Sequence, residues 1–117
     1  MQSVARVHVL SDDLLFGSRL QADLGAGGHE VTLGPRAEPG AQAYVADLTH
    51  QPDAALAELA AVLGAPPPRP PVLAFFAHVE PDVRRRALAA GVDQAVPRSR
   101  IAREGAALLA ALLATAR

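Results

Sequence analysis

Five short apolar runs recur along this chain, and most of the intervals after them carry apolar residues at helical spacing. The runs are VARVHVL (residues 4–10), HEVTL (29–33), AYVADL (43–48), VLAFFA (72–77) and DQAVP (93–97). Their length and β-branched or aromatic content suit buried strands. From Asp13 the period changes: Phe16, Leu20 and Leu24 recur at i, i+4, i+8, and Gly25, Gly27 and Gly28 stop that helix. Asp53 is positioned to cap a second helix with Leu56, Leu59, Ala60 and Leu63 on one face, closed by Gly64. Pro81 suits the first turn of a third, in which Val83, Ala87, Leu88 and Ala90 face inward before Gly91. Ser99 can cap the last, with Ile101, Gly105, Leu108 and Leu112 on one face and Leu109 and Leu113 beside it. Strands alternating with helices in this way imply a parallel sheet, covered on both faces by right-handed crossovers.

One interval breaks the rule. GPRAEPG (residues 34–40) holds two prolines and two glycines, so a short irregular connector is expected there instead of a helix. APPPRPP (65–71) is read as an extended connector in preference to a polyproline ligand for a partner. With 117 residues the chain suits one domain, residues 1–117, with no output domain.

Composition narrows the chemistry. There is no cysteine, so disulfide, thiolate-zinc and cysteine-nucleophile readings have no ligands. All 11 basic residues are arginine, which removes Schiff-base chemistry and the lysine of a P-loop. A formal net charge of -1 supplies no positive field for nucleic acid. No run reaches the roughly 18 to 20 apolar residues of a membrane span and no basic-then-apolar leader opens the chain, so a soluble cytoplasmic protein without membrane contacts is expected.

In open parallel sheets the ligand site lies beyond the carboxyl ends of the strands. The residues there are Ser11, Asp12 and Asp13 after the first run, Asp47 in the third, Ala77 and His78 at the end of the fourth, and Arg98 after the fifth. Carboxylates gathered at one edge repel unless a cation screens them, so a magnesium ion or an Arg98 ion pair is expected beside them.

VHVLSDDLLFGSRL (7–20), VADL (45–48) and RRRALAAGVDQAVPRS (84–99) together resemble the receiver domains of bacterial two-component response regulators. The resemblance runs from Arg6 to about Leu113. It implies a flavodoxin-like, CheY-like three-layer α/β/α sandwich with a five-stranded parallel sheet in the order 2-1-3-4-5, the helix between strands two and three reduced or missing. It places Asp47 at the phosphoacceptor position and Asp12 at the second acid of the family's Mg²⁺-binding pair. No cofactor is required, and Mg²⁺ held by Asp12 and Asp47 is the one the resemblance allows.

Other positions depart from that pattern. Ser11 stands where the first acid is expected, weakening a hard-cation site, and Asp13 sits one residue further on. Phe76 replaces the small hydroxyl residue that bonds the phosphoryl group, although Ala77 keeps the small neighbour. Arg98 replaces the receiver lysine, and its planar fork can hold Asp47 in an ion pair. The expectation is therefore a pseudo-receiver: not an enzyme, but a stand-alone signalling module with degenerate phosphorylation chemistry that works through protein contacts. A histidine kinase, a downstream effector or a second copy is the kind of partner the resemblance implies. It points to the surface carrying Arg85, Arg86, Leu109 and Leu113, the two leucines partly exposed. The alternatives are a conventional Mg²⁺-dependent phosphoacceptor and a small-molecule-binding domain using Asp12, Asp47 and His78.

Plainer roles remain open for several of these residues. Asp12 can cap the first helix, and Asp47 can pair with Arg98 or cap the following turn. GAGG (25–28) closes a helix, whereas a dinucleotide loop opens one. Arg84, Arg85 and Arg86 spread over more than half a helix circumference and suit a solvated face. His50 and His78 read as loop polarity rather than as a metal pair.

Overall fold

The computed structural model describes residues 4–77 and 81–115. Its element order is β1 (Arg6–Leu10), α1 (Leu14–Ala26), β2 (Glu30–Gly34), β3 (Ala43–Asp47), α2 (Pro52–Glu58), α3 (Ala60–Leu63), β4 (Val72–Phe76), α4 (Pro81–Ala90), β5 (Gln94–Pro97) and α5 (Arg98–Thr115). The five strands form one parallel sheet in the order β2-β1-β3-β4-β5. This is the flavodoxin-like order, and the switch of direction between β1 and β3 opens a crevice at their carboxyl ends. No helix among the described residues is long and apolar enough to cross a membrane.

Alternation of side chains along each strand divides the core in two. Val7, Val9, Val45, Leu73, Phe75 and Val96 pack beneath α1 and α5, against Leu20, Leu24, Ile101 and Leu109. Leu10, Tyr44, Ala46, Ala74 and Phe76 pack on the other face, against Leu59, Val83 and Ala87. Beneath α1 and α5 the helices come close to their neighbours. A Cβ on Gly17 would lie 2.7 Å from Leu33, and one on Gly105 3.3 Å from Leu20.

The second face is not fully helical. Segment 35–42 carries no helix, so the far side of β1 and β2 lacks one. The strands carry the matching signal, because Arg6, His8, Glu30 and Thr32 alternate with Val7, Val9, Val31 and Leu33. Two helix-covered faces over all five strands, expected from the sequence, hold for β3 to β5 only. Three side chains pin the connector instead. The buried His8 ring bonds Thr32 Oγ1 (2.6 Å) through Nδ1 and the Arg36 carbonyl (2.7 Å) through Nε2. Tyr44 donates its hydroxyl to the Glu38 carbonyl (2.6 Å), and Glu58 accepts from the Ala37 N–H (2.8 Å).

Burial, with the Glu38 carboxylate adding to it, holds the Tyr44 hydroxyl above its usual value of 10.0, partly offset by a backbone hydrogen bond at Ala41. The unfolded chain then loses this proton first as pH rises. The contribution is therefore complete below about pH 10 and fades as pH climbs through the folded-state value. Urea midpoints measured between pH 9 and pH 11 should fall less steeply in Tyr44→Phe than in the parent chain.

Several local expectations need correction. Asp53 is not the cap of its helix: Pro52 opens α2 behind Gln51, and Asp53 lies in the first turn, paired with Arg86. The single helix expected to run on to Gly64 is divided at Leu59, which is fully buried and ends α2. Ser99 is not a cap either, since α5 begins at Arg98 directly after β5. In α4, Leu88 is 37% exposed and Ala90 is also exposed, leaving Val83 and Ala87 as the inward pair. Leu109 is only 1% exposed and Leu113 is half-buried, because the sheet is broad enough to cover more than one narrow stripe of α5. The proline-rich connector is tied down: Arg69 donates to the Gly91 and Pro70 carbonyls and to Asp93 (3.1 Å), whose carboxylate also caps the Val72 N–H (2.7 Å).

Candidate functional site

β1 and β3 end side by side, and this adjacency brings Ser11, Asp12 and Asp47 to one cavity of about 310 Å³. Arg36, His50 and Glu58 also line it. Asp12 is exposed, Ser11 is buried and Asp47 is half-buried.

Asp47 is held by neutral donors. Ser11 Oγ donates to its Oδ2 (2.7 Å), and the Thr49 N–H donates to its Oδ1 (2.8 Å). Ser11 Oγ in turn accepts from the Asp13 N–H (3.0 Å), so one hydroxyl links the end of β3 to the start of α1. The serine therefore does more than delete an acid. It supplies the proton that engages Asp47.

Arg98 is not on Asp47, and the ion pair expected there is absent. Its guanidinium Nη2 lies 3.3 Å from Asp13 Oδ2, and its Cζ is 4.1 Å from the centroid of the Phe16 ring. The other Asp13 oxygen, Oδ1, accepts from the Phe16 N–H (3.0 Å) and caps α1. The capping role open to Asp12 therefore belongs to Asp13. The physical reason is direction: Asp13 sits at the helix start facing α5, whereas Asp12 turns to the cavity between β1 and β3. Phe16 is backed by Phe75, with ring centroids 5.2 Å apart. A cation over an aromatic face beside a carboxylate is a stable seat for a guanidinium.

Phe76 is 5% exposed and belongs to the core facing α2 and α4. Its ring does not line the cavity, but it leaves that position without a donor. Ala77 follows β4 and is half-buried. His78 lies outside the described residues, so the small-molecule constellation of Asp12, Asp47 and His78 has no described third member. Arg85 and Arg86 lie on α4, where Asp82 pairs with both and Asp53 with Arg86. Of the two leucines expected on that surface, buried Leu109 is unavailable to a partner.

A resident Mg²⁺ does not fit this donor set. The ion needs oxygens in near-octahedral array, and the Ser11 hydroxyl beside Asp47 turns its hydrogen to Oδ2 instead of adding a second anionic oxygen. Among the described residues no three His, Cys, Asp or Glu groups assemble as a metal site.

Arg36, Glu58 and Phe16 were not legible as site residues. Arg36 comes to the cavity from the connector after β2, and Glu58 from the end of α2. The sequence signal nearest to Phe16 is Asp13 three residues before it, a preferred helix cap whose side chain reaches the N–H three positions on.

No protein-family model matches the chain, and no curated protein does. Solved structures do. A putative response regulator from Chloroflexus aurantiacus J-10-fl is 16% identical, with 96% of this chain and 99% of that chain covered and a TM-score of 0.81. The BeF3-activated DrrB receiver domain is 15% identical, covering 96% of this chain and 99% of that one at a TM-score of 0.80. Full-length FixJ from B. japonicum is 20% identical over 98% of this chain and 61% of that chain, with a TM-score of 0.77. At these identities the likeness establishes the architecture: the chain has the fold of response regulator receiver domains.

Proposed function

We propose that the chain is a receiver-like signalling module that acts through protein contacts, with Asp47 withdrawn from phosphoryl chemistry. The observation that carries this reading is the state of Asp47. Both of its oxygens are engaged by neutral donors of the chain, and the arginine at the receiver lysine position is seated on Asp13. Phosphoryl transfer is catalysed by fixed positive charge and donors aimed at the transferring group. Here the cation is turned away, Phe76 offers no donor, and the donors present bind the ground-state carboxylate. Such an arrangement stabilises the unmodified acid.

Partner recognition then depends on the surface. α4 presents Asp82, Arg84 and Arg85 to solvent, with Arg86 half-buried beside them. This charged face suits a protein partner, a kinase or an effector, better than a nucleic acid, because Asp82 and Asp53 neutralise part of its positive charge. The small cavity alone does not require a catalytic role.

The test is intact mass after incubation with acetyl phosphate and Mg²⁺. No phosphoryl adduct is expected over a time in which a conventional receiver is labelled. A gain of one phosphoryl group that disappears in Asp47→Asn would replace this reading with that of a conventional phosphoacceptor.

A further inference from the structure

We propose that Asp13 and Phe16 form a latch that stores the Arg98 guanidinium outside the Asp47 cavity, and that Asp13 is the positioning residue deciding which carboxylate Arg98 serves. The latch goes beyond the signalling reading and stands apart from any phosphoryl transfer.

Arg98 opens α5 immediately after β5, and β5 lies two strands from β3 in the sheet. Two strand spacings are roughly 10 Å, a gap that an extended arginine side chain and a facing carboxylate can close between them. Two acids therefore compete for one cation. Asp13 prevails for three reasons visible in the geometry. Its Oδ1 is fixed by the Phe16 N–H, so the carboxylate is oriented before Arg98 arrives. Arg98 Cζ lies over the Phe16 ring, 4.1 Å from its centroid, and no Phe, Tyr or Trp lines the cavity. Asp47, for its part, is already supplied with hydrogen bonds by Ser11 and Thr49. The same seat ties the start of α1 to the start of α5, two helices that also approach closely where Gly105 meets Leu20.

Ser11 connects the two sides of this competition. Its hydroxyl donates to Asp47 and accepts from the Asp13 N–H, so a guanidinium that takes over Asp47 Oδ2 frees a hydroxyl that also meets the backbone of the latch. Occupancy of the seat and occupancy of the cavity by Arg98 are mutually exclusive.

The experiment uses the full chain without metal or phosphodonor. Asp13→Asn removes the charge and keeps an oxygen able to cap α1, because asparagine caps as well as aspartate. NMR contacts between the Arg98 side chain and the Phe16 ring should be present in the parent chain and lost in Asp13→Asn; their persistence in the variant would overturn the latch. The transfer is tested by a double-mutant cycle in urea. Asp47→Asn should lower the folding equilibrium constant about fivefold more in the Asp13→Asn background than in the parent chain, since only there does Arg98 serve Asp47. Adding Arg98→Ala should abolish the excess. Equal effects of Asp47→Asn in both backgrounds would overturn the transfer. A phosphoryl adduct in the parent chain would overturn the functional reading and leave these measurements untouched.

Discussion

Replacing Phe75 with alanine should cost about 3–5 kcal/mol, the range for truncating a large aromatic in a packed core. Phe75 is fully buried in the central strand pair β3–β4 and contacts Phe16 on α1. Domains of this size hold about 5–15 kcal/mol in total, so the variant should be close to unfolding at room temperature. Phe75→Leu, which keeps most of the volume, should cost less than about 1.5 kcal/mol. Urea titration separates the two, and an unchanged slope would show that the loss is one of stability and not of denatured-state compactness. The truncation also removes the support behind the Phe16 ring, so the Arg98 seat should loosen in whatever fraction remains folded.

The second large effect is expected at His8. Its ring is buried and makes two bonds, to Thr32 and to the Arg36 carbonyl. His8→Ala leaves a void and strands a carbonyl, and the combined cost should be about 2–4 kcal/mol. The neutral ring that donates from Nε2 and accepts at Nδ1 satisfies both partners. His8→Gln, which also carries a donor and an acceptor, should recover part of the loss. Because Pro35 and Arg36 line the cavity, the damage should reach the site as well. Hydrogen exchange at the Ala37 N–H, which is held by Glu58, should accelerate in His8→Ala more than at amides of β4.

His8 also shows what could and could not be read in the chain. The apolar runs mark the strands to within two residues, because they end at turn residues, and the sheet order follows from a resemblance that the fold upholds. The missing helix was legible too, since no helix accommodates the prolines and glycines of 34–40. Its consequence for the sheet lies in the alternation of β1 and β2. In VARVHVL and HEVTL, Arg6, His8, Glu30 and Thr32 alternate with the aliphatic residues, as a half-covered pair requires. An imidazole in a strand can serve as core filler or as a hydrogen-bonding clamp, and composition does not distinguish them.

The site was legible in its members and not in its pairings. Asp12 and Asp47 converge because parallel strands β1 and β3 end together, which topology alone determines. Which acid receives Arg98 depends on a few ångströms of side-chain reach and on the ring of Phe16, and neither has a signature in residue spacing. In the sequence Ser11 reads as a lost acid, and its role as a donor to Asp47 depends on β1 and β3 lying side by side.

The most direct test is a crystal structure of the chain grown with Mg²⁺ and beryllofluoride, which mimics an acyl phosphate on a competent acceptor. The expected result is an unmodified Asp47 still bonded to Ser11, with Arg98 on Asp13 over the Phe16 ring. Beryllofluoride on an Asp47 oxygen, with the Ser11 bond broken, would contradict the withdrawn acceptor.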